Sequence, residues 1–215
     1  MTARDKFFEN IAALPRETKV DMHIHTVASD GTWTPGQLIA ELLKHDIKIF
    51  SITDHDTVDG IMETQELARE AGLVFMPGVE ISTKYKEKDR QQVFHILGYG
   101  IDANNEPLRN FIAHTSLLLQ RHDDEYIRML VRNGCRIDLK EYELYQDKEA
   151  RGGWKSLNFL IDKGFCRDFD DFASKFMNEK NAVPAPDFPD PADAIKVIKA
   201  AGGFSVLAHP GSRDN

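Results

Sequence analysis

His23 and His25 stand two residues apart at the end of an apolar run, and Ser29-Asp30-Gly31 follows shortly after them. Alternate residues of a strand project from one face, so both imidazoles can reach a single cation. Alone, such a pair is equally compatible with two buried structural histidines. The pattern repeats, however. Thr53-Asp54-His55-Asp56 ends a second apolar run, Gly78-Val79-Glu80 a third, His95 lies in a fourth, and the last run delivers His209 before Pro210. In βα architectures the loops after the strands' C-terminal ends converge on one face, so these residues are expected to meet. Five unrelated buried partnerships are a costlier explanation than one shared set of cations. Imidazole with carboxylate suits Zn, Mn or Fe, and without a thiolate a purely structural zinc site is not indicated. Asp30, His55 and Glu80 exceed the needs of one ion. Clustered divalent ions suit phosphoryl chemistry, because they polarise the phosphate, generate hydroxide and stabilise the leaving oxygen.

The elements that must position these residues are legible in the periodicity. Lys19–Ile24, Ile47–Thr53, Val74–Val79 and Val93–Tyr99 read as strands. Helices are expected between them, from Pro35 through His45 and from Gly60 to Ala71, with Pro-start and Gly-stop signals. This βαβ rhythm predicts a parallel sheet. From Pro107 to about Asn133 the pattern is helical, and a further helix is expected from Trp154 to Lys163. Val183 to Pro191 holds Pro184, Pro186, Pro189 and Pro191 and reads as an extended linker. A helix from Pro191 to Ala201 and a strand from Phe204 to Ala208 complete the pass. The division expected is a barrel core over residues 1–103, an inserted helical subdomain over 104–190, and a return to the core over 191–215.

At 215 residues the chain can bury a proper core without staples, and its formal charge of -8 disfavours duplex nucleic acid and anionic membranes as partners. Cys135 and Cys166 lack CxxC spacing and suggest neither a disulfide framework nor a thiolate site, which points to a reducing cytoplasm. No stretch approaches the ~20 apolar residues of a membrane span.

Taken together, His23-x-His25 with Ser29-Asp30-Gly31, Thr53-Asp54-His55-Asp56, Gly78-Val79-Glu80, His95 and Ala208-His209-Pro210 resemble the successive motifs of the PHP (polymerase and histidinol phosphatase) family. The resemblance covers nearly the whole chain. It implies an α/β fold, a distorted (βα)7 barrel incomplete at its C-terminal end, and a site of two to three divalent metals (Mn, Fe or Zn) that hydrolyses phosphoesters. The order of motifs is most similar to the bacterial branch acting on nucleotides, whose members remove a 3′-phosphate from 3′,5′-bisphosphonucleotides or trim short RNA from its 5′ end. A small phosphorylated substrate is the implied partner. Carried over by motif, His23 and His25 would hold a first metal and Glu80 would bridge to a second that His95 and His209 complete. Asp30 and His55 would hold a third. Asp30, His55 and His209 are the implied catalytic groups, with metal-bound hydroxide as nucleophile. Asp54 and Asp56 would orient His55 or cap a helix.

Members of the family normally continue past Ala208-His209-Pro210 to a closing Gly-Ser-Asp-x-His type motif that supplies an Asp and a His ligand. Here Gly211-Ser212-Arg213-Asp214 follows His209 too soon to be that motif, so two ligands are expected to be missing. Arg121, Arg128, Arg151 and Lys155 in the inserted segment are the candidates for phosphate contact, weighed against ordinary solvated surface. Trp154 and Tyr99 could stack on a base, although core packing is the expected role. His45, His114 and His122 read as structural or surface residues. The competing readings are an inactive or structural metal-binding fragment, an amidohydrolase, and a histidinol phosphatase.

Overall fold

In a computed structural model of the chain, residues 3–12, 14–87, 90–147 and 151–210 are described. The N-terminal half is built as expected up to its third strand. Strand β1 (Lys19–Ile24) pairs in parallel with β2 (Ile47–Ile52), and β2 with the short β3 (Val74–Phe75). Helix α1 (Ala3–Ala12) precedes β1; α2 (Pro35–Lys44) and α3 (Ile61–Glu70) are the crossovers. Helix α2 starts on a capping box, in which the Thr34 hydroxyl accepts from the Gln37 amide and the Gln37 side chain accepts from the Thr34 amide.

Beyond β3 the expectation of a parallel sheet fails. The run Val74–Val79 breaks at Pro77, which cannot donate to a ladder, and a new strand β4 (Gly78–Glu87) begins there. It pairs antiparallel with β5 (Arg90–Tyr99), because a connection this short closes a hairpin and is far below the dozen or so residues of a parallel crossover. Strand β6 (Phe204–Leu207) then pairs antiparallel with β5, so the described strands form two three-stranded sheets, one parallel and one antiparallel. They meet where His55, just past β2, bridges to Glu80 of β4. Gly78 is required at that approach, since a Cβ on it would lie 2.5 Å from the Ser51 hydroxyl.

The segment after β5 is helical, in more pieces than the periodicity shows: α4 (Glu106–Arg132), α5 (Leu139–Glu143), α6 (Lys155–Asp162) and α7 (Phe169–Phe176), then the extended proline-rich stretch and α8 (Pro191–Ala200). Helix α4 is about 40 Å long and serves two cores. Its first turns bury Leu108 and Ile112 against α2, α3, α8 and the sheets, whereas Ile127 and Leu130 lie in a separate cluster with Phe159, Leu160 and Phe172. Each such fully buried side chain stabilises by roughly 1.5–3 kcal/mol. The stretch from Val183 to Pro191 runs beside β4, where the Lys84 amide donates to the Pro189 carbonyl at 2.9 Å. No helix among the described residues is long and apolar enough to cross a membrane.

Candidate metal centre

Glu80 lies near the start of β4 with its side chain 1% exposed, and five imidazoles from four segments converge on it. His23 Nε2 is 2.8 Å from Oε2, His25 Nε2 3.1 Å and His55 Nε2 3.6 Å from the same oxygen. On the other oxygen, His95 Nδ1 stands at 3.3 Å and His209 Nε2 at 3.1 Å. Strand alternation explains the first two, because residues 23 and 25 share a face of β1. The ladder explains His95, because it pairs with Ser82, two residues beyond Glu80 on the same face of β4. His209 follows β6 with φ +27, a backbone conformation uncommon outside glycine, and this turns its ring toward Glu80. Asp30 reaches in from the loop after β1, 3.0 Å from His25 Nδ1 and 3.9 Å from His55 Nε2.

All seven residues singled out for ligation therefore meet. They include three sets whose candidate donor atoms lie within 4.8 Å of one another: His23, His25 and Glu80; His25, Asp30 and His55; His55, Glu80 and His95. His209 joins through Glu80 and through His95 Nδ1 at 3.4 Å. The stretch Gly211–Asp214 lies outside the described residues.

The electrostatics fit a cation. Burial would raise the Glu80 carboxyl, but contacts from His23, His25 and His95 outweigh it and hold the group far below the usual carboxylate range. Burial would likewise lower His25, yet its bonds to Asp30 and Glu80 push it up to about 10. Burial also opposes ionisation of Asp30, and the hydrogen bond from His25 overcomes it, leaving Asp30 at about 2. His55 is the opposite case: burial dominates and lowers it to about 4, so its ring is neutral at physiological pH. Its Nδ1 is buried without a hydrogen-bond partner. Five imidazoles around one carboxylate bring more ring nitrogens together than its two oxygens can accept hydrogen bonds from, and divalent cations would take up the remaining nitrogen lone pairs.

Asp54 and Asp56 have other tasks than those expected. Neither contacts His55 by its side chain, and helix α3 begins at Gly60 without a side-chain cap. Asp54 instead accepts from the Thr26 amide and hydroxyl and from the Ser29 hydroxyl, which fixes the loop that carries Asp30. Asp56, with φ +51, accepts from the Ser82 amide at 3.1 Å, the Ser82 hydroxyl at 2.6 Å and the Thr115 hydroxyl at 2.6 Å. Ser82 was findable, since it shares a strand face with Glu80; nothing in the sequence marks Thr115.

A cavity of about 560 Å³ opens from this centre toward the helical segment. Asp30 and His55 line it from the centre, and Asp123, Asp124, Trp154 and Lys155 from the helical segment. The two sides are joined by a close contact: the Gly153 amide donates to the Ser29 carbonyl at 2.7 Å, and a Cβ on Gly152 would lie 1.9 Å from the Gly31 carbonyl oxygen. Of the four cations singled out for phosphate contact, Lys155 lines the cavity. Arg151 instead bridges Asp147 at 3.0 Å and Asp162 at 2.9 Å, Arg128 pairs with Glu125, and Arg121 is exposed. Tyr99 is core, its hydroxyl donating to the Met22 carbonyl, whereas Trp154 is 43% exposed rather than packed. His45 and His114 are exposed, and His122 is half-buried with Nε2 3.4 Å from the Val183 carbonyl.

The chain is similar to known proteins. The chain is 30% identical over 209 residues to a 5′-3′ exoribonuclease of Salmonella typhimurium, covering 90% of this chain and 66% of that one. It is 27% identical over 199 residues to a 3′,5′-nucleoside bisphosphate phosphatase of Chromobacterium violaceum, covering 91% and 68%. A solved structure from Bifidobacterium adolescentis, described as a candidate metal-dependent phosphoesterase, superposes with a TM-score of 0.74 at 28% identity, covering 92% of this chain and 69% of that one. The chain thus spans about two thirds of the length of the relatives it matches. With the family model for the PHP domain matching residues 21–176, most of the described fold and six of the seven convergent residues, the chain belongs to the PHP domain family.

Proposed function

We propose that this chain is a metal-dependent phosphoesterase acting on phosphomonoesters of nucleotides or on RNA 5′ ends. The observation that carries the reading is Glu80, a buried carboxylate within 3.6 Å of nitrogens from five histidines. The exoribonuclease and phosphatase named among the relatives support the substrate class. His23 and His25 with Glu80 would hold one ion, Glu80 with His95 and His209 a second, and Asp30 with His55 a third; Mn, Fe or Zn suits this donor set. Bound there, such ions polarise the phosphoryl group, lower the pKa of water and offset the charge on the departing oxygen.

The chain's own residues do the rest. Glu80 stays ionised and sets the point on which the five ring nitrogens converge. His55, neutral at physiological pH, keeps a ring lone pair available. Asp30, ionised above about pH 2, accepts a hydrogen bond from the attacking water rather than storing its proton. His209, 35% exposed beside Glu80, is open to a bound phosphate and would stand on its departing side. On the same reading the two sheets, joined at His55 and Glu80, are arcs of a distorted (βα)7 barrel, and residues 104–190 are a cap inserted in it. The net charge and the free cysteines fit a small substrate met in the cytoplasm.

The test is elemental analysis of the purified protein together with phosphate release from nucleotide esters and histidinol phosphate under added manganese. Two or more metals per chain with preferential nucleotide turnover is the expected result. Less than one metal per chain and no release from any ester would overturn the reading in favour of an inactive fragment.

A further inference from the structure

The cavity beside the centre carries its own specificity. Its far end is not a phosphate site: Asp123, Asp124 and Asp147 line it, and among the described residues Lys155 is the one Lys or Arg in the lining. The Lys155 ammonium is already engaged, 4.5 Å above the Tyr142 ring and 3.4 Å from the Glu143 carbonyl. Arg151 is held between Asp147 and Asp162 and also donates to the Tyr145 hydroxyl, so it offsets Asp147 and leaves Asp123 and Asp124 as the carboxylates set against a ligand. Like charges set against one another disfavour binding in general, so a second phosphate is disfavoured there.

What the far end does offer is an aromatic face and acceptors. Trp154 is exposed on the cavity side and backed by Phe169, with ring centroids 6.1 Å apart. Its position is set by the preceding Gly152-Gly153 turn, packed on the loop that carries Asp30. Asp123 accepts from the Ser156 amide at 2.9 Å and from the Ser156 hydroxyl, and Asp124 from the Tyr142 hydroxyl at 2.8 Å. A carboxylate has about four acceptor positions, so both groups retain capacity for a ligand's N–H. A volume of about 560 Å³ is within the range of small-molecule sites.

Resting on the phosphoesterase reading, we infer that this cavity is a nucleoside subsite for esters with a single phosphate: Trp154 stacks the base, Asp123 and Asp124 accept from its amino group, and the same carboxylates reject a second phosphate. The preferred substrates are then adenine-, guanine- or cytosine-bearing monophosphates, ahead of uridine monophosphate and of 3′,5′-bisphosphates.

Two measurements on the full chain test this. In a W33F protein Trp154 is the only tryptophan, and adenosine added to the chelated protein should quench its fluorescence, with uridine weaker and ribose without effect. In the manganese-loaded protein, kcat/KM for adenosine monophosphate should exceed that for glycerol phosphate and for adenosine 3′,5′-bisphosphate by about tenfold, the scale of one stacked base. W154A should collapse the first ratio and W154F restore most of it, and D124N should narrow the second. Turnover of the bisphosphate as good as that of the monophosphate, or no quenching by adenosine, would overturn the inference. Adenosine quenching without turnover of any ester would support the subsite and overturn the phosphoesterase reading instead.

Discussion

The Asp56 carboxylate, on the loop that follows His55, accepts a hydrogen bond from the Thr115 hydroxyl of α4 at 2.6 Å, deep in the protein. Through it the helix that carries the cavity's far wall is tied to the strand ends that carry the centre, because the same carboxylate also accepts from Ser82, two residues past Glu80. Burial raises the Asp56 pKa, and these donors favour the ionised form. T115V removes one hydrogen bond to a charged group and is expected to destabilise by about 1.5–3 kcal/mol, with T115S close to wild type. Urea denaturation of the three proteins checks it; equal midpoints would show that the bond contributes nothing.

Replacing Glu80 by Gln keeps the shape of the side chain and removes its charge. Amide N–H groups would then face imidazoles that now share a carboxylate, and the Gln oxygen alone could serve as a donor to a cation. E80Q is expected to lose at least one metal ion per chain relative to wild type and to lose phosphate release by at least about a hundredfold, since clustered ligands act as a unit. Elemental analysis beside a turnover assay reads both. Undiminished metal content would remove Glu80 from its place as the shared ligand.

How much of this was legible beforehand differs between the centre and its surroundings. Six of the seven convergent residues follow from period-2 alternation and from the rule that strand ends converge, whereas His95 arrives from mid-strand through the antiparallel ladder. The direction of β5 was missed because an apolar run looks the same in either direction, and the expected strands left residues 80–92 between them, room enough for a crossover. The roles of Asp54 and Asp56 were missed for another reason. Their partners Thr26, Ser29 and Ser82 lie at least 25 residues away in sequence, and no local pattern encodes such a pairing. Arg151 shows the same limit, since a guanidinium's freedom to meet phosphate depends on Asp147 and Asp162 lying within its reach.

Gly152 offers a way to separate the cap from the centre. Its backbone presses on the Gly31 carbonyl so closely that a Cβ would lie 1.9 Å from that oxygen. G152A must therefore push the Trp154 turn away from the Asp30 loop and weaken the Gly153-to-Ser29 hydrogen bond. A cost of about 1–3 kcal/mol is expected, as for other overpacked contacts. Metal content should be retained, because no candidate ligand moves with the cap except through the Asp30 loop, whereas KM for nucleotide esters should rise. Loss of all bound metal with an unchanged KM for residual turnover would show that the contact supports the centre rather than the substrate's far end.

The helical segment has an electrostatic latch of its own at Asp171, in the first turn of α7. Its carboxylate accepts from the Lys175 ammonium at 2.8 Å, from the Arg167 guanidinium at 3.3 Å and from the Arg167 amide at 2.9 Å. These contacts, Lys175 first, hold it well below its ordinary value of 3.8. The sign follows from linkage: a depressed folded-state pKa means stability that is fully present above the unfolded value and is lost as pH falls through the folded one. D171N should therefore melt below wild type at pH 7, and the gap should begin to narrow as pH falls beneath about 4, where the unfolded carboxylate takes up a proton while the folded one still holds its charge. Because both proteins carry the same histidine cluster, its own titration cancels in the difference. Melting curves of the pair across pH 3 to 7 measure it, and a gap that is constant over that range would mean that the contribution of Asp171 is packing rather than charge.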